Sequence, residues 1–282
     1  MSHFSVLVIG PTNEAELKAA LQPFHEFECT GEDDQYVQDI DLTEEFRKEF
    51  SERDDDTYKT FAQFCEEYHG KEPAKAGELG YKKFKYGYTL VDDNGEVIKV
   101  IDRTNPGKKW DWWTVGGRWS DQLLFPAGDT GDSGTKGDID FSKSRKQRAK
   151  EASEEHDRAS AIIAGRVFES WETIRDRSSS IEDARKEYHS QPVVQDFKQD
   201  RELSWDGPDK FAVSRDEYIQ AAFDRFPFFA VLKDGQWFEK GKMGWWACVS
   251  DEKTPEDWNA VGWRLIEEAT SDSMLTVVDC HI

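Results

Sequence analysis

Two pairs of soft ligands stand out in this chain. His25 and Cys29 are four residues apart in HEFEC, and Cys65 and His69 are four apart in CEEYH. On a helix that spacing places both side chains on one face, and two such pairs could close a tetrahedral Cys₂His₂ zinc site. Two ordinary thiols and two surface histidines account for the same letters. His3 and the C-terminal Cys280-His281 form a second candidate. If the terminal strands pair antiparallel, His3 and His281 lie close, whereas Cys280 and His281, as strand neighbours, point to opposite faces. The chemistry there is catalysis or metal binding; otherwise these are edge residues of a sheet.

The segment KWDWWTVGGRWS is the strongest candidate for recognition. Arg118 lies among Trp110, Trp112, Trp113 and Trp119, with Asp111 upstream. An arginine so flanked could hold an anionic ligand while the rings stack on a base or on the guanidinium. Gly116 and Gly117 let a backbone approach closely. Trp245-Trp246 joins this segment as a possible partner surface. A sheet core capped by aromatics, with an Arg–Asp pair, is the structural alternative. A separate acidic stretch, residues 26–56, has fourteen Asp or Glu against three Lys or Arg. Its Glu32-Asp33-Asp34 run suits a basic protein partner or imitation of DNA, and solubility alone also explains it. The loop GDTGDSGTKGDID carries Asp129, Asp132, Asp138 and Asp140 but lacks the EF-hand order, so it reads as a flexible loop rather than a calcium site. No Walker loop, dinucleotide fingerprint, G-x-S-x-G or H-E-x-x-H occurs.

The elements that must position these residues follow from patterning. His3 to Ile9 reads as a buried strand, broken by Gly10-Pro11. Asn13 with Glu16 makes a capping box for a helix to Leu21. Helices are expected at Thr43–Ser51 and over 57–69. Strands Tyr86–Asp92 and Val97–Asp102 flank Asp93-Asn94-Gly95, a hairpin signal. One long helix is expected from Ser142 to about Arg177, its polar first half projecting into solvent, then an irregular stretch over 178–212 with a short helix at 181–189. Ser214 with Glu217 caps another helix. Strands follow at Phe228–Leu232, from Trp237, and at Gly244–Ser250. Thr254-Pro255-Glu256-Asp257 opens a helix with a buried stripe of Trp258, Val261, Leu265 and Ala269. Leu275–Ile282 is a final strand, and pairing with the N-terminal strand is expected. The fold class is therefore α+β: a mixed or antiparallel sheet including both terminal strands, covered by helices. Residues 1–282 read as a single domain with a helical insertion over 142–212.

Composition bounds the function. Hydrophobic residues make up 37 % and charged residues 34 %, a balance that leans toward disorder, but 11 Trp, 18 Phe and 8 Tyr argue for a packed core. A net charge of −21 repels nucleic-acid phosphates and anionic membranes, so neither is an expected partner. No apolar run reaches membrane-span length, and the N-terminus lacks a signal peptide's basic region. Four cysteines without a framework fit reduced thiols in a cytosol.

The blocks MSHFSVLVIG, KWDWWTVGGRWS, KMGWWACVSDEK and LTVVDCHI, in order along most of the chain, resemble a family of uncharacterised proteins from tailed bacteriophages and some bacteria. The resemblance implies a phage-type accessory protein acting in a bacterial cytoplasm, of a kind that often counters host defence. It implies no catalytic residues. Two functional expectations result. The first is a protein that binds and inhibits or redirects a bacterial host protein through its acidic, Trp-rich surface. The second is an enzyme or sponge for a small anionic, nucleotide-like ligand centred on Arg118.

Overall fold

The computed structural model describes residues 2–26, 34–54, 57–77, 84–244 and 248–282. The chain divides into two compact units. One comprises Met1–Ser120, Phe228–Glu252 and Met274–Ile282; the other comprises Asp121–Pro227 and Lys253–Ser273. The fold is α+β, with both terminal strands in one sheet.

The first unit contains β1 (His3–Gly10), α1 (Glu14–Leu21), β2 (Gln38–Asp41), α2 (Thr43–Ser51), β3 (Pro73–Ala74), β4 (Gly87–Val91), β5 (Val97–Thr104), β6 (Trp112–Val115), β7 (Ala230–Lys233), β8 (Gln236–Glu239) and β9 (Met274–His281). Its main sheet runs β8-β7-β1-β9-β6. β1 is the apolar run of the sequence, and six of its eight residues are buried. It pairs parallel with β7 and antiparallel with β9, the latter from His3↔His281 to Gly10↔Met274. A continuous apolar run fits this central place, where both faces are covered. Phe4, Val6, Val8, Val278 and Cys280 form one face, and Leu17 and Leu21 of α1 pack on it at helical spacing.

The box expected ahead of α1 forms only in half. Asn13 Oδ1 accepts the Glu16 N–H, but the Glu16 carboxylate accepts the Thr12 N–H rather than that of Asn13. A second sheet runs β2-β5-β4-β3. Its β4–β5 hairpin turns where Asn-Gly predicted, with Asp92 Oδ1 accepting the Asn94 and Glu96 N–H groups. Phe46 of α2, Phe64, Cys65 and Val100 make its core, each Phe contributing about 1.5–3 kcal/mol on burial. The helix expected over 57–69 is shorter and of mixed type: Phe61–Gln63 is α-helical and Phe64–Tyr68 is a π-turn.

The second unit contains α3 (Phe141–Ile163), α4 (Trp171–Arg177), α5 (Ile181–Ser190), α6 (Pro192–Gln199), α7 (Arg215–Asp224) and α8 (Pro255–Glu268). The single helix expected to Arg177 is two helices. Gly165, at φ +71°, takes the left-handed conformation that ends α3, and Ser170 caps α4 through the Thr173 N–H. Val167, between the two helices, is exposed. Nor does the basic first half of α3 project into solvent. The Arg145 guanidinium lies 4.2 Å from the Phe223 ring centroid and 4.9 Å from that of Trp263, and it pairs with Asp224 at 2.9 Å. Arg148 donates to the Arg225 carbonyl. These cations satisfy carbonyls at the C-terminal end of α7 and complement its dipole. Within 178–212, α6 was not foreseen; its start is Pro192, with φ preset for a first helical position. Both halves of the Ser214–Glu217 capping box are present. Ala159, Val193, Phe197, Leu203 and Phe211 form the core here. Among the described residues, no helix is long and apolar enough to cross a membrane.

Candidate active site: a carboxylate-held histidine pair

The β1–β9 register puts His3 opposite His281 and Ser5 opposite Asp279, and β6 adds Trp112 opposite His281 and Thr114 opposite Asp279. By strand alternation these residues share one face, turned away from Phe4, Val278 and Cys280. Two imidazoles therefore meet at one end of the sheet, with ring centroids 4.9 Å apart and planes at 69°.

Each ring is held by a carboxylate. His3 Nδ1 donates to Asp279 Oδ1 at 2.9 Å, and His281 Nδ1 donates to Asp111 Oδ1 at 2.6 Å. A carboxylate only accepts, so the proton sits on Nδ1 in both rings and each Nε2 is left for other work. Neither Nε2 has a partner among the described residues, and neither is sealed from solvent.

The two carboxylates are positioned differently. Asp279 is 1 % exposed. Its second oxygen accepts the Arg118 N–H at 3.0 Å. A buried carboxylate needs such partners to offset its lost hydration. Gly117 lies so close that a β-carbon there would sit 2.6 Å from Asp279 Cβ and Oδ2, and its φ of +57° is left-handed. This is the physical use of Gly116-Gly117: the turn after β6 presses its backbone onto Asp279. Asp111 is exposed, and its backbone is fixed on both sides. Its N–H donates to the His281 carbonyl at 2.9 Å, and its carbonyl lies 3.1 Å from His25 Nε2.

The tryptophans separate by role. Trp110 is buried in the sheet core, with its indole N–H donating to the Leu21 carbonyl at 3.2 Å. Trp113 packs against the same core. Trp112 is 52 % exposed on the histidine face, its ring centroid 6.2 Å from that of His3. Trp119 is half-buried, and its indole N–H has no acceptor among the described residues. Arg118 is exposed and makes no ion pair among them.

Of the proposed zinc ligands, His25, Cys65 and His69 lie within the described residues. Among the described residues, no group of three or more His, Cys, Asp or Glu is placed to hold a metal ion. His25 stacks on Trp110 at 4.5 Å between centroids. Cys65 is buried in the second sheet's core, where burial pushes its thiol up to about 11, away from the thiolate a metal needs. His69 stacks on Phe46 and bonds Glu49 at 3.0 Å. Cys29 lies outside the described residues, as do Trp245, Trp246, Glu32 and Asp33. Asp34 opens a short 3₁₀ turn to Tyr36, and its side chain also lies outside them. In the loop GDTGDSGTKGDID, Asp132 accepts the Asp121 N–H, Asp138 accepts the Thr135 hydroxyl, and Asp140 caps α3.

Asp279 was not singled out in the sequence, although it carried a signal. It is the one charged residue in the apolar run LTVVDC, two positions from His281 and so on the same face. The fold and site together define an α+β protein with two histidines, each held by a carboxylate, side by side at one end of its main sheet. Comparison with protein-family models, with curated proteins and with solved structures finds no match to this chain.

Proposed function

We propose that this chain binds a small anionic, ring-bearing ligand of nucleotide type at the His3–His281 pair and performs acid–base chemistry on it. The observation that carries this reading is the pair itself: two imidazoles fixed at Nδ1 by carboxylates, 4.9 Å apart, each with Nε2 unpartnered among the described residues. Fixed orientation is what proton transfer requires of a catalytic imidazole. Trp112 offers a stacking surface, and Arg118 offers an exposed positive charge on the same turn that secures Asp279. Adenosine monophosphate titrated into the protein should shift the ring signals of His3 and His281 and quench Trp112. His281→Ala should weaken its binding about tenfold, the loss of one charged hydrogen bond. Unchanged ring signals at saturating nucleotide refute the reading.

A second reading rests on Trp205, which is 97 % exposed in the helical unit. A large aromatic so placed fits an interface anchor for another protein. With the net charge of −21, it supports engagement of a bacterial host protein with a basic face, the role that the phage-family resemblance implies. Native mass measurement after gentle purification from bacteria should then show a retained partner, and Trp205→Ala should release it. Equal retention by the variant removes Trp205 from the interface.

A further inference from the structure

We infer that the reaction at the histidine pair is cleavage of a ribonucleotide phosphodiester by the sugar's own 2′-hydroxyl. The inference rests on the ligand reading above and adds the substrate class and the bond broken.

The histidine face supplies two proton carriers, and the Ser5 hydroxyl on that face is already engaged. Ser5 is buried, and its hydroxyl oxygen accepts the Phe229 N–H at 3.1 Å. The Thr114 methyl faces Gly117, close to where a β-carbon would sit. Cys280 points into the opposite core, where burial raises its thiol well above the usual range. Neither the Ser5 hydroxyl nor the Cys280 thiol is therefore placed to attack, and in this inference the attacking group comes with the substrate. A 2′-hydroxyl beside a 3′-phosphodiester is such a group.

In-line displacement at phosphorus needs proton handling at two oxygens on opposite sides of one atom. The two imidazoles supply the two proton carriers that this requires. One Nε2 takes the proton of O2′ as the O2′–P bond forms. The other ring, as imidazolium, gives its Nε2 proton to O5′ as the P–O5′ bond breaks. The products are a 2′,3′-cyclic phosphate and a free 5′-hydroxyl, and no oxidant or further reactant is consumed. Water restores the starting protonation of both rings. Asp279 and Asp111 are positioning residues: they hold the rings and stabilise the imidazolium state of each. The net charge of −21 works against a long polyanion, so the substrate is short, a dinucleotide rather than an RNA strand. Trp112 stacks on one base, as aromatic platforms do for single-stranded nucleotides.

Adenylyl-(3′–5′)-adenosine and its 2′-deoxy analogue, incubated separately with the full chain, test this. The ribo compound should yield adenosine and the cyclic phosphate, and the deoxy compound should stay intact. His3→Ala and His281→Ala should each lower kcat roughly 10²–10⁴-fold, with circular dichroism unchanged, and added imidazole should restore part of the rate. If the dinucleotide shifts the His3 and His281 signals but is not cleaved, the inference fails while the ligand reading stands. If it neither binds nor is cleaved, both fail. Equal cleavage by wild type and both variants, or cleavage of the deoxy analogue, also overturns the inference.

Discussion

Asp279→Ala should destabilise the protein by about 2–5 kcal/mol, the effect of leaving two donors without their buried acceptor. The reason is where the carboxylate sits. At 1 % exposure it has almost no water to lose or regain, and both its oxygens are committed, one to His3 Nδ1 and one to the Arg118 N–H. Alanine strands two donors at once and opens a gap against Gly117. Asp279→Asn should cost less, about 1–2 kcal/mol, because its carbonyl oxygen can still accept one of the two donors. Urea unfolding checks both: the midpoint should fall in the order wild type, Asn, Ala, with little change in slope. An alanine variant within about 0.5 kcal/mol of wild type, the range of an inert surface change, would show that the carboxylate holds nothing in place.

Gly117→Ala attacks the same contact from the other side. Two costs combine. A residue with a β-carbon at φ +57° pays about 1–2 kcal/mol for the left-handed conformation. The added carbon also meets Asp279 Cβ and Oδ2 at 2.6 Å and Thr114 Cγ2 at 2.8 Å, inside any normal contact distance. Asp279 is buried and cannot swing aside, so overpacking adds roughly 1–3 kcal/mol. The total is about 2–5 kcal/mol, with loss of nucleotide binding because His3 loses its anchor. Gly95→Ala is the control. Gly95 is also left-handed, at φ +85°, but a β-carbon there meets nothing within 4 Å, so only the backbone strain remains. Equal destabilisation by the two variants would mean that strain alone matters and that the Gly117–Asp279 contact does not.

Local signals in the sequence predicted local structure well. Thr43–Ser51 is helical to the residue, and Ser214–Glu217 and Thr254-Pro255 cap helices as their chemistry dictates. Such signals are made by neighbours a few positions apart and need no tertiary information. The pairing of the terminal strands, and with it the closeness of His3 and His281, was also legible, because buried apolar runs need neighbours in a sheet. The break after Ile163 was less so. Ala164-Gly165 sits inside a pattern that continues helically on paper, and only the left-handed turn at Gly165 stops it.

Legibility fell furthest in the Trp-rich segment. One strand faces two environments, so Trp112 and Trp113, adjacent in sequence, go to opposite sides, one open and one toward the core. Composition cannot assign those sides; register can. Asp279 stayed hidden for a related reason. A lone acid in an apolar run has a use only when the partner that meets it is known, and His3 is 276 residues away.

That separation shapes how the protein comes into being. Strand β1 is made first, and its neighbours β7 and β9 follow more than two hundred residues later. At a synthesis rate of ~5–20 residues per second, β1 waits roughly 15–55 seconds for β9. Closing loops of this length is entropically costly, and sheets built from remote segments fold slowly. Until β9 is made, His3 lacks the Asp279 that holds it, and the apolar β1 lacks a neighbour on one edge. The His3–His281 contact therefore forms late: neither ring meets the other until β1 and β9 have both been made and have paired.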